Sequence, residues 1–290
     1  MYQPGQKKVA APRVSIGMPV YNGERFIQKA VNSLLEQTMP DFELIISDNA
    51  STDRTEAICR AYENQDARIK YIRQSTNLGA GVNFRFVLEE AIGQYFMWAA
   101  SDDCWSNNWL ETLLRDFAAG TALAFGHVVS IDEHNNVIEK FRYRRFSKIP
   151  FVCWVQYYMR EEMYYKANYI YGLYQREGLL KFAFLETYGA DNHFVFEVIQ
   201  QGRLSTNSEA CFFKRFVATS EGASAKEANS GFLRKRLLLD MLPYYLTFPK
   251  LARSQGLKVV VIALLPLKYF KSLCFMIYRS VSARLRRDGL

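Results

Sequence analysis

The chain is poor in the residue types that build metal cages and covalent frameworks. Its 290 residues include three histidines and five cysteines, and Cys59, Cys104, Cys153, Cys211 and Cys274 stand apart with no CxxC pair and no Cys/His cluster. That spacing argues against a zinc site or a disulfide framework and fits a reducing compartment, the cytosol. The opening MYQPGQKKVAAPR lacks an apolar signal-peptide core, so residues 1–12 read as a loose lead-in. Gly79 and Gly81 suit a tight turn but make no GxGxxG phosphate loop. No internal repeat and no nucleic-acid motif is present, which leaves nucleic acid out as a partner.

What is there is apolar bulk and a lopsided charge. Hydrophobic residues make up 49%, with 18 Tyr and 21 Phe, enough for a sizeable core in one large domain with an appendage. The net charge is +8, and the segment from Lys250 onward holds nine Lys or Arg against the single acid Asp288. Residues 1–249 therefore balance, and the basic charge belongs to the C-terminus.

Apolar runs bounded by turn residues alternate with helical periodicity. Val14–Val20, 42–47, 69–74 and 95–100 read as buried strands. Helices are expected from Asn22 (as cap) to 35, through about 64, from 79 to 92 and after Ser106. This β-α-β-α order predicts an α/β fold, a Rossmann-like, mostly parallel sheet flanked by helices, with ligands beyond the carboxyl ends of the strands. The polar clusters PVYN, SDNASTD, STNLGA and ASDD fall there. Farther on, strands are expected at 123–132, 136–143, 169–175 and 210–216, a helix at 191–201, and helices from about 226 broken at Pro243, Pro249 and Pro266. The expected division is a core domain over 1–225 and a basic amphipathic helical region over 226–290.

Asp102 and Asp103 stand side by side at the end of the fourth strand. Helix capping is one reading of the pair. The other is a divalent-cation site, because a hard cation takes oxygen ligands and relieves the repulsion between adjacent carboxylates. MPVYNGERF, FELIISDNASTDRT, the Asn77-Leu78-Gly79 turn, GQYFMWAASDD and Gly189-Ala190-Asp191, in that order and spacing, resemble the family-2 glycosyltransferases of the GT-A fold over about 14–216. The resemblance is to the bacterial type that builds polysaccharides and lipid-linked glycans. It implies that Pro19, Tyr21, Asn22 and Glu24 line a nucleotide pocket, that Asp48 and Asn49 meet the base and that Asn77 lies nearby. It also implies that Asp102, supported by Asp103, binds Mn2+ or Mg2+ under a nucleotide diphospho-sugar (UDP-, GDP- or dTDP-sugar). Two positions depart from the family pattern. Asn49 stands where a second Asp is common, and Ala100 replaces the first Asp of DxD, leaving Ser101 to meet the ribose.

The resemblance makes Asp191 the base that takes the acceptor hydroxyl's proton in an inverting displacement; the competing reading is an N-cap. His193 reads as structural, and Lys214 and Arg215 read either as diphosphate contacts or as ordinary exposed charges, the latter preferred. The aromatic stretch FVCWVQYYMREEMYY reads as core or as an acceptor surface for a glycan or lipid-linked substrate. In the basic tail the longest uncharged run, 259–267, is nine residues, whereas a membrane-spanning helix needs about 20. The tail therefore suits a helix lying on a membrane surface, peripheral to the inner face of the cell membrane, or else a helix packed on the core or an oligomer interface. A nucleotidyltransferase and a catalytically degenerate scaffold are the alternatives to a glycosyltransferase.

Overall fold

The computed structural model describes residues 11–117, 119–141, 145–160, 166–182, 189–217 and 242–287, with backbone alone for 273 and 275–287. The expected lead-in up to residue 10, the 225/226 division, the helix start near 226 and the aromatics of 161–165 lie outside the described residues.

Strands β1 (Val14–Val20), β2 (Phe42–Asp48), β3 (Ile69–Arg73) and β4 (Tyr95–Trp98) form a parallel quartet in the order β3-β2-β1-β4. Helices α1 (Ile27–Leu35), α2 (Thr55–Gln65) and α3 (Ala80–Glu89) connect them. β1 is buried almost throughout, as a strand covered on both faces must be. Gly17 lets α3 approach, since a Cβ there would lie 2.6 Å from Val87 Cγ2. Pro19 sits in this central strand without breaking it. Odd residues of β1 point toward β4, as Gly17 O shows by accepting Ala99 N–H at 2.9 Å. Pairing with β4 ends at Gly17↔Trp98, so the missing N–H of Pro19 falls where no partner strand remains.

The sheet continues with antiparallel character. β5 (Cys104–Trp105), α4 (Trp109–Asp116), β6 (Thr121–Ile131), β7 (Val137–Phe141) and α5 (Pro150–Met159) follow in sequence. A 3-10 turn (Ala167–Tyr171), β8 (Leu173–Gln175), α6 (Arg176–Leu179), α7 (Ala190–Ile199) and β9 (Arg203–Arg215) come next. The order across the sheet is β3-β2-β1-β4-β8-β6-β9-β5, with β7 on the far half of β6. β8 runs antiparallel to β4 and β6, β9 runs parallel to β6, and β5 is antiparallel to β9.

Several expectations need correction. α1 begins at Ile27, not Asn22; Asn22 has a left-handed backbone (φ 52°) and caps no helix. The strand expected at 169–175 is a 3-10 turn followed by three strand residues. β9 starts at Arg203, earlier than expected, because its polar first half is recruited by pairing with β6. The two-residue β5 was not foreseen. The C-terminal helices, α8 (242–251) and α9 (Gln255–Arg287), run through all three prolines. Pro266 removes one ladder bond, and it lies on the exposed side, where the freed carbonyl of Ile262 meets water.

One apolar cluster unites the layers, and it includes Tyr245, Phe248, Leu257 and Val261 of the C-terminal helices. Cys153, Tyr157 and Tyr158 of α5 are fully buried in it, so this part of the aromatic stretch is core. Trp98 stands at its centre, edge-on to Phe96, Tyr174 and Phe194 at 4.7, 5.7 and 5.5 Å, with Nε1–H donated to Phe84 O at 3.0 Å. Trp98→Ala is expected to cost about 3–5 kcal/mol. Urea denaturation checks it, and a loss below about 1 kcal/mol would mean that the cluster closes over the gap.

Candidate active site

The loops after β1 and β2 are laced together. Asn22 N–H donates to Ser51 Oγ (2.9 Å), Gly23 N–H to Thr55 Oγ1 (2.8 Å) and Glu24 N–H to Asp53 Oδ2 (3.0 Å). In return Asn22 Oδ1 accepts from Thr52 N–H (2.8 Å) and Glu24 Oε2 from Arg54 N–H (2.9 Å). Asp53 also accepts from Thr55 and is therefore structural, and hydrogen bonds hold its carboxyl below the usual range despite some burial. Asn22 and Ala50 both take positive φ, 52° and 62°. Non-glycine residues in that region store strain, and such strain clusters at functional sites.

Asp48 is fully buried and its oxygens are committed to the protein: Oδ1 accepts from Ser51 N–H (2.8 Å), Oδ2 from Tyr71 Oη–H (2.7 Å) and Arg73 Nη1 (3.0 Å). Asn49, also buried, donates to Asn77 Oδ1 (2.8 Å) and accepts from Leu78 N–H (2.8 Å). The two residues expected to meet the base thus brace the walls of the crevice. Tyr21, 51% exposed, and the exposed Asn77 are the side chains that stand open there, with Pro19 half-buried beneath.

The acid pair divides its labour. Asp103 turns inward with no exposed surface, accepting from Lys214 Nζ (3.0 Å) and from Arg215 N–H (2.8 Å). Burial pushes its carboxyl up to about 6, against the pull of Lys214 and the Arg215 N–H, with the neighbouring Asp102 charge adding to the rise. Lys214 in turn is held above its ordinary value by Asp103 despite its own burial. Arg215 is also buried: Nε donates to Asp102 O (2.8 Å), and Nη1 to Asp132 O (2.8 Å) and Asn135 Oδ1 (2.7 Å). Neither cation is the ordinary exposed charge that was preferred from sequence. Asp102, half-buried beside Ser101, keeps its carboxylate free of hydrogen bonds and ion pairs among the described residues.

Asp191 comes from the other half of the sheet. Gly189 takes the cap place with φ 72°, and a Cβ there would lie 2.3 Å from Tyr244 Cε2, so only glycine fits. Asp191 sits in the first turn of α7 and caps nothing. Its side chain is exposed on one side and crowded by protein on the other, and that burial raises its pKa, with Lys214 drawing it partly back. Burial raises the Tyr171 phenol; Lys214 opposes, and Asp103, Asp191 and Asp102 add to the rise. The charges of Asp102, Asp103, Asp191 and Lys214 thus all bear on the Tyr171 phenol, and that of Lys214 bears on Asp191. Tyr171 was not foreseen, because it sits in a 3-10 turn that reads as one more core aromatic. His193 is buried with Nε2 2.9 Å from Tyr244 O, a structural role.

The sheet and its crevice define the GT-A fold. A family profile described as Glycosyl transferase family 2 matches residues 15–188, and the chain belongs to that family. Asp191 lies just beyond the matched segment. The chain is 40% identical over 104 residues to the putative teichuronic acid biosynthesis glycosyltransferase TuaG of Bacillus subtilis, covering 36% of this chain and 41% of that one. It is 29% identical over 138 residues to the GalNAc(5)-diNAcBac-PP-undecaprenol beta-1,3-glucosyltransferase of Campylobacter jejuni, covering 47% of this chain and 44% of that one. The matches thus span less than half the length of these curated relatives. In fold the chain is similar to S. aureus TarS in complex with UDP-GlcNAc (TM-score 0.58, 21% identity, 70% of this chain and 58% of that one). It is also similar to the mannosyltransferase PcManGT of Pyrobaculum calidifontis in complex with GDP-Man and Mn2+ (TM-score 0.58, 15% identity, 97% and 80%).

Removing one member of the Asp103–Lys214 pair strands the other. Asp103→Asn and Lys214→Met are each expected to cost on the order of 3 kcal/mol. In a double-mutant cycle the combined variant should lose less than the sum, with a coupling of at least about 1 kcal/mol. Additive losses in chemical denaturation would show that the pair does not act as a unit.

Proposed function

We propose that the protein transfers a sugar from a nucleotide diphospho-sugar to a hydroxyl of a glycan or lipid-linked acceptor, with inversion at the anomeric carbon. One observation carries the reading. Two carboxylates without protein partners among the described residues, Asp102 and Asp191, come from opposite halves of the sheet, and the charge of each bears on the Tyr171 phenol.

The residues present fit a divalent cation, Mn2+ or Mg2+. No cluster of three or more His, Cys, Asp or Glu suited to a metal exists among the described residues, so no all-protein cage is offered. Asp102 supplies one free carboxylate, and such ions are commonly held by one or two carboxylates together with substrate phosphates. Asp103, with both oxygens engaged, orients the Asp102 loop and is not itself a ligand. Bound there, the ion would neutralise charge on the departing diphosphate.

The chain's own groups do the rest. Tyr21, Pro19 and Asn77 flank the base, on walls that Asn22, Glu24, Asp48 and Asn49 hold rigid. Ser101 stands where the ribose passes. Asp191 takes the proton of the acceptor hydroxyl as its oxygen bonds to the anomeric carbon, and the bond from that carbon to the diphosphate oxygen breaks on the opposite side. Lys214 is the cation whose charge bears on Asp191. The ligands of the similar structures, UDP-GlcNAc and GDP-Man, support a nucleotide-sugar donor, and the names of the relatives support a cell-surface glycan or polyprenol-linked acceptor.

Asp191→Asn is expected to lower kcat by about 100-fold or more while nucleotide diphosphate affinity, read by thermal shift with and without Mn2+, stays unchanged. Because the carboxyl pKa is raised, the active deprotonated form is lost on acidification at a higher pH than an ordinary carboxylate would require. The acid limb of kcat/KM should therefore lie above 3.8, the ordinary value. A variant with full turnover would remove Asp191 from the mechanism.

The C-terminal helix supports a membrane-surface location. No helix among the described residues is long and apolar enough to cross a membrane. In α9, Leu257 and Val261 pack into the core, while Val259, Ile262, Leu267 and Phe270 form a second apolar stripe, 52–63% exposed and flanked by Lys258 and Lys271. An apolar stripe edged by cations suits the interface of an anionic bilayer, each cation adding on the order of 1 kcal/mol. Ile262→Glu/Phe270→Glu is expected to abolish co-sedimentation with phosphatidylglycerol vesicles without lowering the melting temperature. Undiminished sedimentation of that variant would refute the location.

A further inference from the structure

β6 and β9 run side by side, but their register jumps. Phe125 pairs with Thr206 and His127 with Cys211, so Gly126 alone opposes residues 207–210. The glycine is required, because a Cβ there would lie 2.4 Å from both Ala210 O and Trp109 Cζ3. The bulged segment opens a groove of about 730 Å³ between β6, β7 and β9, a volume in the range that holds one small ligand.

This groove is not the crevice described above. Alternation along β9 sends Cys211 and Phe213 into the groove, while Phe212 goes to the core and Lys214 to Asp103. Its lining has a definite chemistry. Val129, Val137, Phe141 and Phe213 supply an apolar bed, and His127, Lys140 and Arg145 are the ionisable cations around it, with no carboxylate among the lining residues. Lys140 and Arg145 form no ion pair or side-chain hydrogen bond among the described residues, although Arg25, Arg54, Arg60, Arg68, Arg73, Arg85 and Arg115 all pair with acids. The Thr206 hydroxyl is buried at the groove wall with no partner among the described residues. His127 Nδ1 is tied to Phe141 O at 3.3 Å, which fixes the ring within the wall.

We propose that this groove is a second binding site, for an organic phosphate with an apolar body. The phosphate would meet Lys140 and Arg145 in charge-assisted hydrogen bonds, and the apolar body would lie on Val129, Phe141 and Phe213. The site stands independently of the transferase reading, since it shares no side chain with the crevice.

Octyl phosphate is the probe, used on the full chain, with inorganic phosphate and octyl glucoside as the arms that lack one half of the chemistry. Binding is read by calorimetry and by protection of cysteines from N-ethylmaleimide, resolved by peptide mass spectrometry. Cys211 lines the groove and Cys274 lies on α9, so the two thiols report the two places where an amphiphile could settle. The expected result is protection of Cys211 but not Cys274, at least tenfold weaker binding by Lys140→Gln/Arg145→Gln, and no competition from UDP. Both arms should bind at least tenfold more weakly than octyl phosphate. Equal affinity for inorganic phosphate would overturn the apolar half of the proposal, and equal affinity for octyl glucoside the anionic half. Protection of Cys274 alone, displacement by UDP, or unchanged affinity in the double variant would overturn the site altogether.

Discussion

A single buried carboxylate organises the functional half of this molecule. Asp103 has no access to water and spends one oxygen on Lys214 and the other on the Arg215 N–H. An isolated charge there would be strongly unfavourable, and only the paired state is tolerable. The pair therefore fixes the end of β9 against the loop that leaves β4. Arg215 completes the joint by holding Asp102 O and the β6–β7 turn at Asp132 and Asn135. Two adjacent acids coexist because they face different worlds. Asp103 is neutralised from within, and the Asp102 carboxylate has no partner among the described residues.

The loops after β1 and β2 are braced for a different reason. Its polar side chains are spent on one another: Asn22 on Thr52, Glu24 on Arg54, Asp48 on Tyr71 and Arg73, Asn49 on Asn77 and Leu78. Such a lattice holds Asn22 and Ala50 in left-handed conformations that a freer loop would relax. A crevice built this way loses little conformational entropy when a ligand arrives, because its walls are already ordered.

The parallel quartet was legible in the sequence because each strand is a short apolar run and each connecting helix carries its own periodicity. The order of the polar loops also pointed to the crevice. The antiparallel half was less legible. β9 begins with RLSTN, which has no strand pattern of its own and pairs because β6 presents an open edge. Tyr171 and Lys214 were obscure for a related reason: nothing local marks them, and their roles come from side chains distant in sequence. Asp48 and Asn49 were correctly located at the strand end, but their burial depends on Tyr71, Arg73 and Asn77, partners that a motif does not display. Pro266 misled in the opposite direction, since a proline reads as a break although an exposed helix face tolerates it.

The clamp also has a temporal side. Asp102 and Asp103 leave the ribosome more than a hundred residues ahead of Lys214 and Arg215. Until that late strand is synthesised, the nascent chain holds an acidic loop with no counter-charge, attached to a β-α-β unit whose own contacts are already available. The braced loops after β1 and β2 can therefore form early, whereas the loop carrying Asp102 and Asp103 is fixed only with Lys214 and Arg215.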